Sequence, residues 1–145
     1  MNLQRKYWIS YLHLRIIEIY KESLGDKMKY KIIEKTNKRY IEVSQAITCE
    51  SYILDIIGIF ISNDIKLLVL RESVFTSEFI NLKTGLAGIV LQKLMNYHIK
   101  SSAIIECKND IQGRFKELIY ELNKTRDFRV FDNHIDDQNW LMNTK

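Results

Sequence analysis

The fold turns on the run IKLLVLRE, residues 65–72. Leu67, Leu68, Val69 and Leu70 are apolar at successive positions, with Lys66 before them and Arg71 and Glu72 after. Successive side chains of a strand point to opposite faces, so an unbroken apolar run between charges predicts a strand buried on both faces. SSAIIEC, residues 101–107, reads the same way. Strands of this kind need cover on each side, which points to a layered α/β domain.

The flanking segments supply the layers. MKYKIIEK and RYIEVS alternate on either side of the polar residues 36–38 and read as a β-hairpin. Thr48 as N-cap and Glu50 in the first turn open a helix through CESYILDIIGIFISND. Ile53, Ile56, Ile57 and Phe60 mark its buried face, and Asn63 and Asp64 end it. A loop at residues 73–77 leads into one helix ending near Asn96. DIQGRFKELIYELNK is a further helix with Phe115, Leu118, Ile119 and Leu122 inward, and FRVF, residues 128–131, is a short strand. Asp132 or Asn133 then caps a last helix, HIDDQNWLMN, with an acidic first turn. The expected fold is therefore α/β: a single layered domain with an N-terminal β-hairpin, then alternating helices and mostly parallel strands.

Composition narrows the function more by exclusion than by indication. The chain has 145 residues, 46% hydrophobic and 28% charged, which suits one folded domain with a real core. Proline is absent and glycine scarce, so no linker stands out. The net charge of +4 is spread over interspersed charges, with no basic stripe interleaved with aromatics, so nucleic acid is not an expected partner. The N-terminal apolar run is interrupted by His13 and Arg15 and has no small-residue cleavage site, so neither a signal peptide nor a membrane span is expected. Cys49 and Cys107 show no C-x-x-C or Cys/His spacing and are read as reduced, mostly buried thiols of a cytoplasmic protein.

Chemistry is harder to find. His13, His98 and His134 are scattered. Asp132, His134, Asp136 and Asp137 cluster, but a capped acidic helix start accounts for them as well as a metal site does, and no metal is expected. No nucleophile elbow or paired Cys/His appears, so the chain is read as non-enzymatic, without a cofactor. KTGLAG, residues 83–88, has a lysine, two glycines and a helix start, yet matches neither phosphate-binding glycine motif. Lys83 and Thr84 are the candidate binding or switch residues there, and Arg114, opening a later helix, is a candidate handle for an acidic ligand or partner. The competing reading is structural: Gly85 and Gly88 share a helix face and let the helix sit close on the sheet.

Several strings carry a resemblance. KIIEKTNKRYIEV, ITCESYILDIIGIF, LKTGLAGIVLQKLMNYHIK, GRFKELIYELNKTRDFRVF and the terminal NWL resemble a bacterial family, domain of unknown function 4180, over roughly residues 28–142. The element order and the FRVF…NWL ending are more distantly similar to SpoIIAA-like and STAS domains, small α/β modules. The resemblance implies no reaction and no catalytic residue. In phosphorylatable STAS domains a serine precedes a glycine at a helix start, and Thr84-Gly85 stands in a loosely similar place without the acidic-serine signature. By analogy of fold, the expected function is a protein-interaction or regulatory module with an unidentified protein partner. The alternative is a small-molecule-binding domain with a pocket between sheet and helices.

Residues 1–27 fall outside the resemblance. Trp8, Leu12, Ile16, Ile19 and Tyr20 have helical spacing, so residues 7–20 are read as an amphipathic helix in an N-terminal extension. The preferred explanation is that Met28 is the natural start, since residues 24–27 can be encoded by a ribosome-binding sequence; the rival is a genuine amphipathic extension that packs on the domain or on a partner. On either reading the domain proper is 28–145, and a chain starting at Met28 is expected to melt within a few degrees of the full chain. A large loss of stability in that comparison would make the segment part of the fold.

Overall fold

A computed structural model describes the backbone of residues 14–23, 26–35 and 37–143, and side chains from Tyr30 onward except residue 36. Six strands form one sheet: β1 (Leu14–Ser23), β2 (Asp26–Lys35), β3 (Lys38–Val43), β4 (Leu67–Leu70), β5 (Lys100–Ile104) and β6 (Phe128–Phe131). They lie in sequence order across the sheet. β1, β2 and β3 are antiparallel neighbours, and β3 to β6 run parallel. The helices are α1 (Glu50–Asn63), the short α2 (Ser77–Ile80), α3 (Leu86–Asn96), α4 (Arg114–Leu122) and α5 (His134–Met142).

The central run behaves as its pattern predicts. Leu68 and Leu70 join the larger core with Ile41, Val43, Ala103 and Val130, against Ile53, Ile56 and Phe60 of α1, Val90 and Leu94 of α3, and Phe115 and Ile119 of α4. Val69, one residue out of phase, faces the other way and packs with Ile33, Tyr40, Ile104 and Leu141 of α5. Among the described residues the strands therefore have helices on both faces, but unequally: α1, α3 and α4 on one side and α5 alone on the other.

Local chemistry corrects several expectations. The single helix expected up to Asn96 is broken into α2, a 3-10 turn at Leu82–Thr84, and α3. Each restart has its own side-chain acceptor. Thr76 Oγ1 takes the Phe79 N–H at 3.2 Å, Asn81 Oδ1 the Lys83 N–H at 3.2 Å, and Thr84 Oγ1 the Leu86 N–H at 3.3 Å. Short polar side chains compete with the helical ladder in just this way. Cys49, not Thr48, occupies the N-cap position of α1. Cys49 and Cys107 are free but exposed, rather than buried.

Over the described part of residues 7–20, the expected helix is instead a strand: β1 pairs with β2 from Leu14↔Lys35 to Ser23↔Asp26. Ile16, Ile17, Ile19 and Tyr20 favour strand as strongly as their spacing suggested helix, and the edge of β2 is there to be paired. Residues 1–13 lie outside the described set. Met28 falls inside β2 opposite Lys21, so a chain starting there gives up β1, and the melting comparison measures what that strand contributes.

The two glycines of KTGLAG also behave differently from the packing account. A Cβ at Gly88 would meet nothing within 4 Å, so no close approach to the sheet requires a glycine there. Gly85 has φ +77, in the left-handed region, and forms the N-cap of α3. The inward face of α3 is carried by Leu86, Ala87, Val90, Leu91 and Leu94. Gly88→Ala is accordingly expected to stabilise the domain by about 0.5–1 kcal/mol in urea unfolding, while Gly85→Ala destabilises it by about 1 kcal/mol. A destabilising Gly88→Ala would bring back the close-packing account.

Candidate functional site

The inner face of α5 is set by helical spacing from Leu141. Three and four residues earlier, the same face carries Gln138 and Asp137, which are 5% and 0% exposed. Two polar groups thus sit where the second core demands apolar ones. Gln138 Nε2 donates to Tyr40 Oη at 3.0 Å, tying α5 to β3. Its Oε1, both Asp137 oxygens and Ser102 Oγ are buried without a hydrogen-bond partner among the described residues.

These groups perturb one another. The Tyr40 hydroxyl is pushed up to about 12, mainly by burial; Glu42 and Asp137 add to the rise, while the Gln138 bond and Arg71 oppose it. Burial likewise raises the Asp137 carboxyl above the ordinary aspartate range, with Glu42 adding. Ser102, His134 and Arg71 act in the other direction. The influence of Ser102 is one of proximity, since its hydroxyl does not complete a bond of good geometry.

Beside this buried group, where α5 stops covering the sheet, lies an open groove of about 450 Å3. Lys31 and Lys35 of β2, Tyr40 and Glu42 of β3, Arg71 after β4, and His134 and Gln138 of α5 line it. A second depression of about 400 Å3 shares Lys31, Glu42 and Arg71 and runs past Ser44, Glu72, Ser73 and Glu106. Val43, Leu70 and Ile104 end β3, β4 and β5 beside the second depression, so that depression lies at the carboxyl ends of parallel strands, where α/β sheets commonly bind ligands, while the groove itself runs along β2 and β3 beside α5. The Arg71 N–H donates to Val43 O at 2.9 Å, fixing the turn, and its guanidinium faces Glu42 at 4.0 Å. Both side chains are partly exposed, so the pair contributes little stability and its charges remain available.

The residues singled out from sequence lie elsewhere. Lys83 and Thr84 occupy the 3-10 turn before α3, and Arg114 begins α4. Phe79 meets Phe115 edge-on, ring centres 6.4 Å apart, so the two segments are neighbours. No hydrogen bond or ion pair joins the three residues among the described residues. The Thr84 hydroxyl lies 2.9 Å from both Glu78 O and Asn81 O, to which it donates, and it accepts from Leu86 N–H, the bonding of a structural cap. Of the acidic C-terminal cluster, Asn133 provides the cap, accepting from Asp136 N–H at 2.9 Å, while Asp137 turns inward instead of remaining a solvated first-turn acid. No group of three or more metal-ligating side chains occurs among the described residues.

The family model described as Domain of unknown function (DUF4180) matches residues 34–141, most of the chain, and the chain belongs to that family. No curated protein and no solved structure matches it. Among the described residues, no helix is long and apolar enough to cross a membrane.

Asp137 yields a pH prediction. Its folded-state pKa is raised above that of the unfolded chain, so the group costs nothing at acid pH and penalises folding as pH rises through the folded-state value. Asp137→Asn should raise Tm at pH 7 by about 3 °C, the shift that roughly 1 kcal/mol produces in a domain of this size. The gain should vanish below about pH 4, where an ordinary aspartate is itself protonated. A gain independent of pH would show that the ionised carboxyl is not the cause.

Proposed function

Starting from a family membership that prescribes no reaction, we propose that this domain is a non-enzymatic recognition module, regulatory in role, that binds a protein partner through the groove beside α5. One observation carries the reading: the groove is open along its length and edged by both signs of charge, with Lys31 and Arg71 against Glu42, Glu72 and Glu106. Such a surface suits a polypeptide segment of mixed charge, which finds orientation and specificity there more than raw affinity. Asp137, the most perturbed acid beside it, has no exposed surface with which to touch a substrate. The cytoplasm is the proposed location, in keeping with two exposed free thiols. Membranes and nucleic acids are not proposed as partners. The STAS-like comparison supports a regulatory role only by analogy of element order.

A second reading has its own support. Gln138 Oε1 is buried, unpartnered and at the groove wall, and a small polar molecule bearing a donor would satisfy it.

The test is capture by the immobilised full chain from its own cell extract, with Arg71→Ala and Gln138→Leu compared in parallel. A protein retained by the parent and weakened about tenfold by Arg71→Ala supports the first reading. A low-molecular-weight fraction that raises Tm in the parent but not in Gln138→Leu supports the second. A protein partner held equally by all three chains would place recognition on another surface.

A further inference from the structure

The opposite end of α5 carries a different chemistry. Around Trp140, at the amino ends of β5 and β6, lies a pocket of about 680 Å3 lined by Lys100, Arg126, Arg129, Asp136, Trp140 and two asparagines. That volume falls within the usual range of small-molecule sites. Three of its side chains are cationic and one is a carboxylate. The Asp136 carboxylate is already engaged, accepting from Asn133 Nδ2 at 2.8 Å.

The cations are held in place rather than trailing in solvent. Lys100 Nζ donates to Trp140 O at 2.9 Å and lies 4.1 Å from the centre of the Trp140 ring. The Arg129 guanidinium stands 5.4 Å from the same ring, and its Nε donates to Thr125 O at 3.2 Å, leaving both terminal nitrogens uncommitted to that bond. Lys38, starting β3 nearby, donates to Met142 O. Arg126 has no hydrogen bond or ion pair among the described residues and is exposed. Lys100 is pushed below the ordinary lysine range by burial and then by the like charges of Lys38 and Arg129. Like charges crowded this way become less costly when a multiply charged anion enters, and guanidinium forks are suited to phosphate oxygens.

We propose that this pocket binds a small phosphorylated molecule, with Arg126 and Arg129 clasping its phosphate and Lys100 completing the charge. The site is separate from the groove and does not depend on it. The bland account of Lys38 and Lys100 is that they cap the C-terminal carbonyls of α5. It leaves Arg126 and the free end of Arg129 without a purpose, yet both line the same cavity.

Trp140 provides the readout. In the otherwise full-length Trp8→Phe chain it is the sole indole. Inorganic pyrophosphate at low salt should then produce a saturable change in fluorescence and a rise in Tm. Arg126→Gln, at an exposed position with no bond to lose among the described residues, should weaken that binding about tenfold, as loss of one charge-assisted contact does. Lys116→Gln, at an exposed basic position on α4, should leave it unchanged. Two further arms separate the sources of phosphate: vesicles containing phosphatidic acid, and a single-stranded oligonucleotide. No saturable response to pyrophosphate, or a response indifferent to Arg126→Gln, overturns the proposal. Binding of vesicles or oligonucleotide that depends on Arg126 without any pyrophosphate response overturns it as well, since the pocket would then serve a surface or a polymer.

Discussion

Among the described residues, Leu141, clustered with Ile33, Tyr40, Val69 and Ile104, is what closes the second face of the sheet. The need for it follows from topology. β3 to β6 are added in one direction, and consistent crossover handedness puts the connecting helices on one side. Among the described residues, the four parallel strands have a single helix, the nine-residue α5, to cover their other side. It is too short to cover everything. Its last turn, through Leu141, packs with Val69 and Ile104, and the surface on either side of the helix is left to polar chemistry. The mixed-charge groove lies toward the start of α5 and the basic pocket toward its end.

What was legible in the sequence follows the same division. β4, β5 and β6 could be read because both their faces, or one whole face, are satisfied by apolar residues close in sequence, as in LLVL and FRVF. The break between Ser77 and Leu86 could not be seen as easily, because the apolar spacing runs straight through it. The side chains that interrupt the helix, Thr76, Asn81 and Thr84, act on backbone donors only two or three residues away. β1 was lost to an ambiguity of pattern: Ile16, Ile19 and Tyr20 satisfy a helical period, and only the neighbouring β2 edge decides for strand.

The candidate site was almost wholly hidden. Tyr40 and Gln138 are 98 residues apart, and Lys31, Glu42 and Arg71 come from three different elements, so no local motif announces them. One signal was available. Taking Leu141 as inward obliges residues 137 and 138 to face inward too, and an aspartate there conflicts with its surroundings. Local rules failing at one buried acid is the kind of inconsistency that marks functional or strained positions. Lys83, Thr84 and Arg114 attracted attention for the opposite reason: they make a compact string or a helix start, whose visible bonding in the fold is largely local.

The position of α5 along the chain also matters during synthesis. Every strand that it covers is made before it, and β4 precedes it by more than sixty residues. The three-helix side of the sheet can assemble as each crossover is completed. The Val69 and Ile104 side cannot, because its cover is translated after β6. A nascent chain that has closed one side of its sheet therefore still presents a bare apolar strip on the other. During that interval it is open to chaperones and to sticking to its own kind, and the finished domain keeps no trace of the exposure.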